Sequence, residues 1–154
     1  MRLTSFTDYS LRVLIYLAAR PERRATIAEI ADAFDVSENH LTKVVHFLGR
    51  NGWLANVRGR GGGLMLAKPA DAIVVGKVVR DTEGQAMPAE CFAEEGGNCS
   101  ITRVCRLKGV LGEAVEAFYG VLDRYTLEDL VRNRASIVKL LDIPVVSKAS
   151  ARAD

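Results

Sequence analysis

Thr26-Ile-Ala-Glu-Ile-Ala-Asp-Ala-Phe34, Asp35-Val-Ser37 and Glu38-Asn-His-Leu-Thr-Lys-Val-Val-His-Phe-Leu-Gly-Arg50 together form the stretch on which the fold turns. Thr26 and Glu29 have the spacing of a capping box, in which the hydroxyl accepts from one free backbone N–H and the carboxylate reaches back to another. Ile27, Ile30, Ala31 and Phe34 then give a short helix one apolar face. Asp35-Val36-Ser37 reads as a tight turn, with Ser37 placed to cap a second helix. That helix is predicted from Glu38 to Arg50, with Leu41, Val44, Val45 and Leu48 facing inward and Asn51-Gly52 ending it. A short helix, a three-residue turn and a longer helix make a helix-turn-helix, whose second helix enters the DNA major groove.

Working outward, Leu11, Leu14, Ile15 and Ala18 predict a first helix from about Thr7 to Ala19, ended by Pro21 and the charged Glu22-Arg23-Arg24. Downstream, Trp53 to Arg58 reads as a strand and Leu64 to Ala67 as its return. Gly59-Arg60-Gly61-Gly62-Gly63 lies between them, and glycines supply the positive φ a hairpin tip requires. A basic hairpin directly after a helix-turn-helix is a wing. Arg58 and Arg60 at its tip are the expected wing contacts, to phosphate or in a minor groove. Ser37, Asn39, His40, Thr42 and Lys43, at the exposed front of the third helix, are the expected base-edge and phosphate readers. The glycine run is not a nucleotide loop, because a strand comes after it rather than a helix, and no Gly-Lys-Ser/Thr is present.

Charge distribution agrees with this reading. The net charge is only +2, but the first 80 residues carry 12 Lys/Arg against 7 Asp/Glu, and the remainder carries 9 against 12. A basic front half suits a polyanion. With 49% hydrophobic and 26% charged residues, the chain can build a packed core. Its longest apolar run, Val13 to Ala19, is far short of the ~20 residues a membrane span needs. The N-terminus lacks the apolar core of a signal peptide, so a cytoplasmic protein that makes no membrane contact is expected.

Beyond a short helix predicted over 73–83, the chain is loop-like from Gly84 to Asn98. All three cysteines, Cys91, Cys99 and Cys105, lie within 15 residues. Their x7 and x5 spacings are wider than the C-x2-4-C pairs of zinc sites. Wide spacing in a loop suits a larger object with several metal corners, such as an iron–sulfur cluster held by thiolates. Three inert thiols and a labile disulfide remain alternatives. Cys105 falls at the start of a long helix, predicted from about Thr102 to Tyr125. The positive end of the helix dipole, with Arg103 and Arg106, favours a negatively charged ligand atom there. Three thiolates leave one cluster position open, for which the candidates are His40, His46, Asp8, Glu90, Glu94 and Glu95. A cysteine-dependent enzyme is disfavoured, since no histidine falls between Phe47 and the C-terminus to act as the base.

On the long helix, Leu107, Leu111, Ala114, Phe118, Val121 and Tyr125 predict a seam for another helix and hence a homodimer, with packing on the first helix as an additional or competing use. Thr126-Leu-Glu-Asp129 starts a further helix. The expected fold class is mainly α with a small β-wing. The expected organisation is a winged helix-turn-helix DNA-binding domain over 1–83, a cluster-binding loop over 84–105, a dimerisation helix with C-terminal helices over 106–143, and a flexible tail over 144–154.

Several separated motifs also carry a family resemblance. Met1-Arg-Leu-Thr-Ser-Phe-Thr-Asp-Tyr-Ser-Leu-Arg12, Val57-Arg-Gly-Arg-Gly-Gly-Gly-Leu64 and the three cysteines resemble the winged-helix iron–sulfur repressor family of IscR- and NsrR-like regulators, over roughly residues 1–142. Phe6-Thr-Asp-Tyr9, Cys99-Ser-Ile-Thr-Arg-Val-Cys105-Arg-Leu-Lys108 and Tyr125-Thr-Leu-Glu-Asp-Leu130 are more similar to its nitric-oxide-sensitive branch. The resemblance implies a repressor that holds double-stranded operator DNA while its cluster is intact and releases it when nitric oxide attacks the cluster. No histidine follows Cys105, so the histidine ligand of IscR-like members does not carry over. The opening motif makes Asp8 the expected fourth ligand, reaching from the partner subunit. The expected cofactor is a [4Fe-4S] cluster, with [2Fe-2S] as the alternative. An iron–sulfur-status or redox regulator with the same DNA module, using a two-iron cluster, zinc or a thiol switch, is the alternative function. A two-fold dimer implies a pseudo-palindromic operator, its half-sites ~34 Å or a multiple apart.

Overall fold

The computed structural model describes residues 2–59, 61–84, 89–92 and 99–144. Its central element is helix α1 (Ser5–Ala19), begun by Thr4, whose hydroxyl accepts from the Thr7 N–H. Val13, Leu14 and Ala18 are fully buried, because α1 packs against five other helices and one strand of the hairpin. Its two buried polar side chains are satisfied. The Thr7 hydroxyl donates to Thr82 at 2.9 Å, and Ser10 donates to the Phe6 carbonyl at 2.7 Å.

Helices α2 (Ile27–Phe34) and α3 (Glu38–Arg50) come next, with the predicted bounds. The Thr26–Glu29 capping box is formed, and the Arg23 guanidinium also pairs with Glu29. Asp35 adopts a left-handed conformation (φ 51°) and turns the chain sharply between the two helices. Leu41, Val44, Val45 and Leu48 are all buried, as their spacing requires. Ser37 stands at the N-cap position of α3, but its side chain makes no capping bond.

Strands β1 (Leu54–Val57) and β2 (Gly63–Leu66) pair antiparallel with Leu54 opposite Leu66, each strand slightly shifted or trimmed from its predicted bounds. Helix α4 (Val75–Glu83) comes after a single 3-10 turn at Ala70–Ala72 and lies against α1. Trp53, just before β1, donates its indole N–H to Asp81 of α4 at 3.0 Å, tying the root of the hairpin to that helix.

Helix α5 (Arg106–Leu122) is shorter than expected. Residues 101–104 instead form turns, in which the Cys99 carbonyl accepts from both the backbone N–H and the hydroxyl of Thr102. Within the chain α5 docks on α4. Arg80 reaches Asp123 through two bonds of 2.6 and 2.7 Å and stacks over the Tyr119 ring. A Cβ at Gly76 would fall 3.0 Å from the Asp123 backbone nitrogen, so the close approach depends on glycine. No residue of α5 is fully buried. Its outward stripe is Leu107, Val110, Ala114, Ala117 and Val121, continued past its end by Tyr125, whereas Leu111 and Phe118, expected on the seam, are half-buried. Helices α6 (Leu127–Leu130) and α7 (Arg134–Leu140) complete the fold and pack on α1. The predicted Thr126–Asp129 start of α6 is a second capping box. The tail expected over 144–154 lies, apart from Pro144, outside the described residues, and among the described residues no helix is long and apolar enough to cross a membrane.

Candidate functional site

Two regions carry the candidate residues. The first is the exposed side of α3 with the hairpin. Ser37, Asn39, His40, Thr42 and Lys43 are all exposed. Thr42 donates its hydroxyl proton to the Glu38 carbonyl at 2.8 Å, so its lone pairs and methyl group remain for a partner. His40 differs from the others: its ring stacks on Tyr9 of α1, with centroids 6.3 Å apart and planes at 22°. Asn39, Lys43, His46 and Arg50 form one stripe down the solvent side of α3. Arg50 is not among the residues expected to read DNA, although its i+7 relation to Lys43 is visible in the sequence; His46 is expected only as a candidate cluster ligand. An open groove of about 460 Å³ runs between α3 and β1, with Thr42, His46, Arg50 and Asn56 on its walls. Ile27, Val45, Leu54 and Leu64 make the rest of its lining apolar, and the polar and basic side chains among them are of the kind that contact a phosphate backbone.

At the hairpin tip, Arg58 is exposed, and Gly59 (φ 96°) and Gly61 (φ 75°) take the left-handed conformations that the sequence pattern anticipates. Arg60 lies outside the described residues.

The second region is a pocket at the foot of α5. Cys91, Cys99 and Cys105 line one cavity of about 230 Å³, together with Ile101, Leu107, Leu111 and Lys108. Three segments bring them there: the short 3-10 turn Glu90–Phe92, the turns after Cys99, and the N-cap of α5, which is Cys105 itself. None is in a disulfide, and Cys99 is exposed. Among the described residues, no three His, Cys, Asp or Glu side chains are placed to hold a single metal ion. The three cysteines instead line a space several times the ~30 Å³ share of one water molecule. A multi-atom, thiolate-bound group fits that donor set and size. The helix N-terminus at Cys105 and the Lys108 ammonium both favour negative charge in the pocket.

The fourth-ligand candidates are dispersed. Glu90 lines the pocket. His40 and His46 stay on α3, and Glu94 and Glu95 lie outside the described residues. Asp8 is not at the pocket of its own chain. Its carboxylate pairs with Arg12 one turn along α1, at 2.8 Å, with both side chains about half exposed. The Arg12 guanidinium lies 5.8 Å from the ring centroids of both Tyr9 and Phe34. Asp8, Arg12, Tyr9 and His40 therefore form a continuous contact series from the start of α1 to α3.

Comparison with known proteins agrees with this architecture. Residues 3–133 match the Rrf2 family, described as an iron-dependent transcriptional regulator. The chain is 51% identical to the HTH-type transcriptional regulator NsrR of Geobacillus kaustophilus over 142 residues, covering 92% of this chain and 97% of that one. It is 50% identical to NsrR of Bacillus subtilis over the same shares. Among solved structures, Staphylococcus aureus CymR superposes with a TM-score of 0.68 at 27% identity, covering 84% of this chain and 97% of that one. IscR of T. potens superposes equally well, with a TM-score of 0.68 at 25% identity over 86% and 88%. The family match over residues 3–133 and these identities place the chain, with its winged helix-turn-helix and its three-cysteine pocket, in the Rrf2 family of transcriptional regulators.

Proposed function

We propose that this regulator is a homodimeric DNA-binding repressor that senses nitric oxide through an iron–sulfur cluster held by Cys91, Cys99 and Cys105. The observation that carries the reading is the single cavity lined by all three cysteines at the foot of the helix with the outward apolar stripe. When bound there, such a group supplies an iron that reacts with a small gas. The chain's own residues do the rest. The three thiolates hold three corners, Ile101, Leu107 and Leu111 make the walls apolar, and Lys108 offsets negative charge. In a [4Fe-4S] cluster one corner needs a further ligand, and Asp8 of the partner subunit is the proposed one. Glu90 of the same chain is the second reading, favoured by its place on the pocket wall.

The Asp8 reading includes a route to DNA. A carboxylate drawn to the pocket leaves Arg12, which is then free to move over Tyr9 and Phe34. Tyr9 stacks on His40 of the recognition helix. Ligation with DNA held, and ligand loss with DNA released, are thereby the two positions of one contact series.

The test compares anaerobically prepared wild type, Asp8→Ala and Glu90→Ala on a duplex selected by the wild type from a random pool. Nitric oxide is expected to abolish wild-type binding. Asp8→Ala is expected to keep its fold, alter the visible spectrum and lose the nitric oxide response, while Glu90→Ala retains both. A reversed pattern would assign the ligand to Glu90. Equal DNA binding before and after nitric oxide would contradict the sensing role and leave a thiol or zinc switch.

A further inference from the structure

The hairpin tip has four glycines in five residues, and Gly59, Gly61 and Gly63 all have positive φ. Glycine loses more backbone freedom than any other residue when it is fixed, so ordering Gly59, Gly61 and Gly63 on DNA is costly unless they are already restrained. Contacts from elsewhere in the chain restrain the tip. The connection between α1 and α2 runs alongside β2, where Ala25 and Leu64 exchange backbone hydrogen bonds of 3.1 and 2.7 Å. This makes Ala25 a third, one-residue strand of the wing. A Cβ at Gly63 would lie 2.9 Å from the Ala25 carbonyl oxygen, so the two backbones are in direct contact. One residue earlier, Arg24 extends past this bridge and donates from Nη1 to the Gly61 carbonyl at 3.0 Å. Gly62 closes the same turn through its N–H to the Gly59 carbonyl.

Arg24 is exposed, and among the described residues it has no carboxylate partner. Its neighbours Arg20 and Arg23 pair with Glu22 and Glu29. Arg24 alone of the three is directed to the wing, 37 residues away. From this we infer that Arg24 is a positioning residue for DNA recognition. By holding the Gly61 carbonyl it fixes the tip relative to α3, so that Arg58 meets the backbone while α3 lies in the groove. The inference rests on the proposal that the hairpin is a DNA-binding wing.

An arginine at this place can also touch phosphate directly, and the two roles give different results. The test uses the full-length, cluster-loaded protein with Arg24→Met and Arg24→Lys, on a duplex the wild type selects from a random pool. Methionine keeps an unbranched stem but loses both the donor and the charge. Lysine keeps the charge and places a donor about one bond short of the arginine Nη1, within reach of the Gly61 carbonyl. Positioning predicts that methionine weakens binding by ~3–10-fold, the worth of one hydrogen bond, with the salt slope unchanged. Lysine then recovers most of the affinity. Amide exchange of residues 61–66 in the free protein is expected to accelerate in Arg24→Met and return towards wild type in Arg24→Lys. A phosphate contact instead predicts that Arg24→Met lowers the salt slope by about one while Arg24→Lys keeps it, which overturns the inference. Unchanged wing exchange in Arg24→Met overturns it too, without reference to DNA. A wild type that selects no duplex would defeat the DNA-binding proposal itself, which the variant comparison does not.

Discussion

If α5 joins two copies of this chain, removing apolar surface from its outward stripe must weaken the dimer by a calculable amount. Val110 is the best position for the test. It is 60% exposed in the single chain, lies in the middle of the stripe's first half and is not on the cysteine pocket, unlike Leu107. Val110→Ala deletes two methyl groups, worth ~1.6 kcal/mol at ~0.8 per buried carbon. Only the 60% still exposed is available to a partner, leaving ~1 kcal/mol per subunit. A two-fold interface presents every residue twice, so the dimer loses ~2 kcal/mol, or ~30-fold in dissociation constant. Val110→Glu, which sets a charge on the same seam, is expected to give monomers across the micromolar range. Sedimentation equilibrium on wild type and both variants measures this, with circular dichroism to verify the helices. A Val110→Glu protein whose dimer dissociates no more readily than wild type would refute the seam and return α5 to a purely intrachain role.

The same geometry gives three more expected outcomes. Thr26→Ala removes one half of the α2 capping box and is expected to cost ~1 kcal/mol, lowering Tm by ~2–4 °C; an unchanged Tm would mean the cap contributes nothing. Burial pushes the Glu83 carboxyl up, but Thr7 and Thr4 beside it favour its charged form more strongly and leave it below its ordinary value. A lowered carboxylate stabilises the fold above its unfolded pKa and loses that contribution as pH falls through the folded value. The Tm gap between wild type and Glu83→Gln should therefore be open near neutral pH and close in acid, and a gap constant with pH contradicts this. Arg58→Ala is expected to lower the salt slope of DNA binding by about one, whereas an unchanged slope means that Arg58 touches no phosphate.

The helix-turn-helix is readable in the sequence because its signals are local. The Thr26–Glu29 box, the Asp35 turn and the four apolar positions of α3 each specify geometry within a few residues, and all agree. The start of α5 is less readable. The helix is expected from about Thr102, yet the hydrogen bonds of Thr102 to the Cys99 carbonyl hold a turn there instead. The rotation of α5 is not readable at all from its own periodicity. Stripes containing Leu111 and Phe118, or Val110 and Ala117, both fit helical spacing. The choice between them comes from the docking of Tyr119 and Asp123 onto Arg80, across some 40 residues of chain. The cysteine site shows the same division. Clustering of the three cysteines is plain in the sequence, but the presence of Lys108 and Leu111 on the same wall depends on where α5 begins. Likewise, His40 reads as one more exposed polar residue until α1 brings Tyr9 against its ring.

The central claim is that the three-cysteine pocket holds an iron–sulfur cluster, and it is tested most directly by iron, acid-labile sulfide and visible absorption of anaerobically purified protein. A brown protein with about four irons and four sulfides per chain is predicted, and its colour should be lost in Cys105→Ser. A wild-type protein that stays colourless after anaerobic reconstitution with iron and sulfide would contradict the claim.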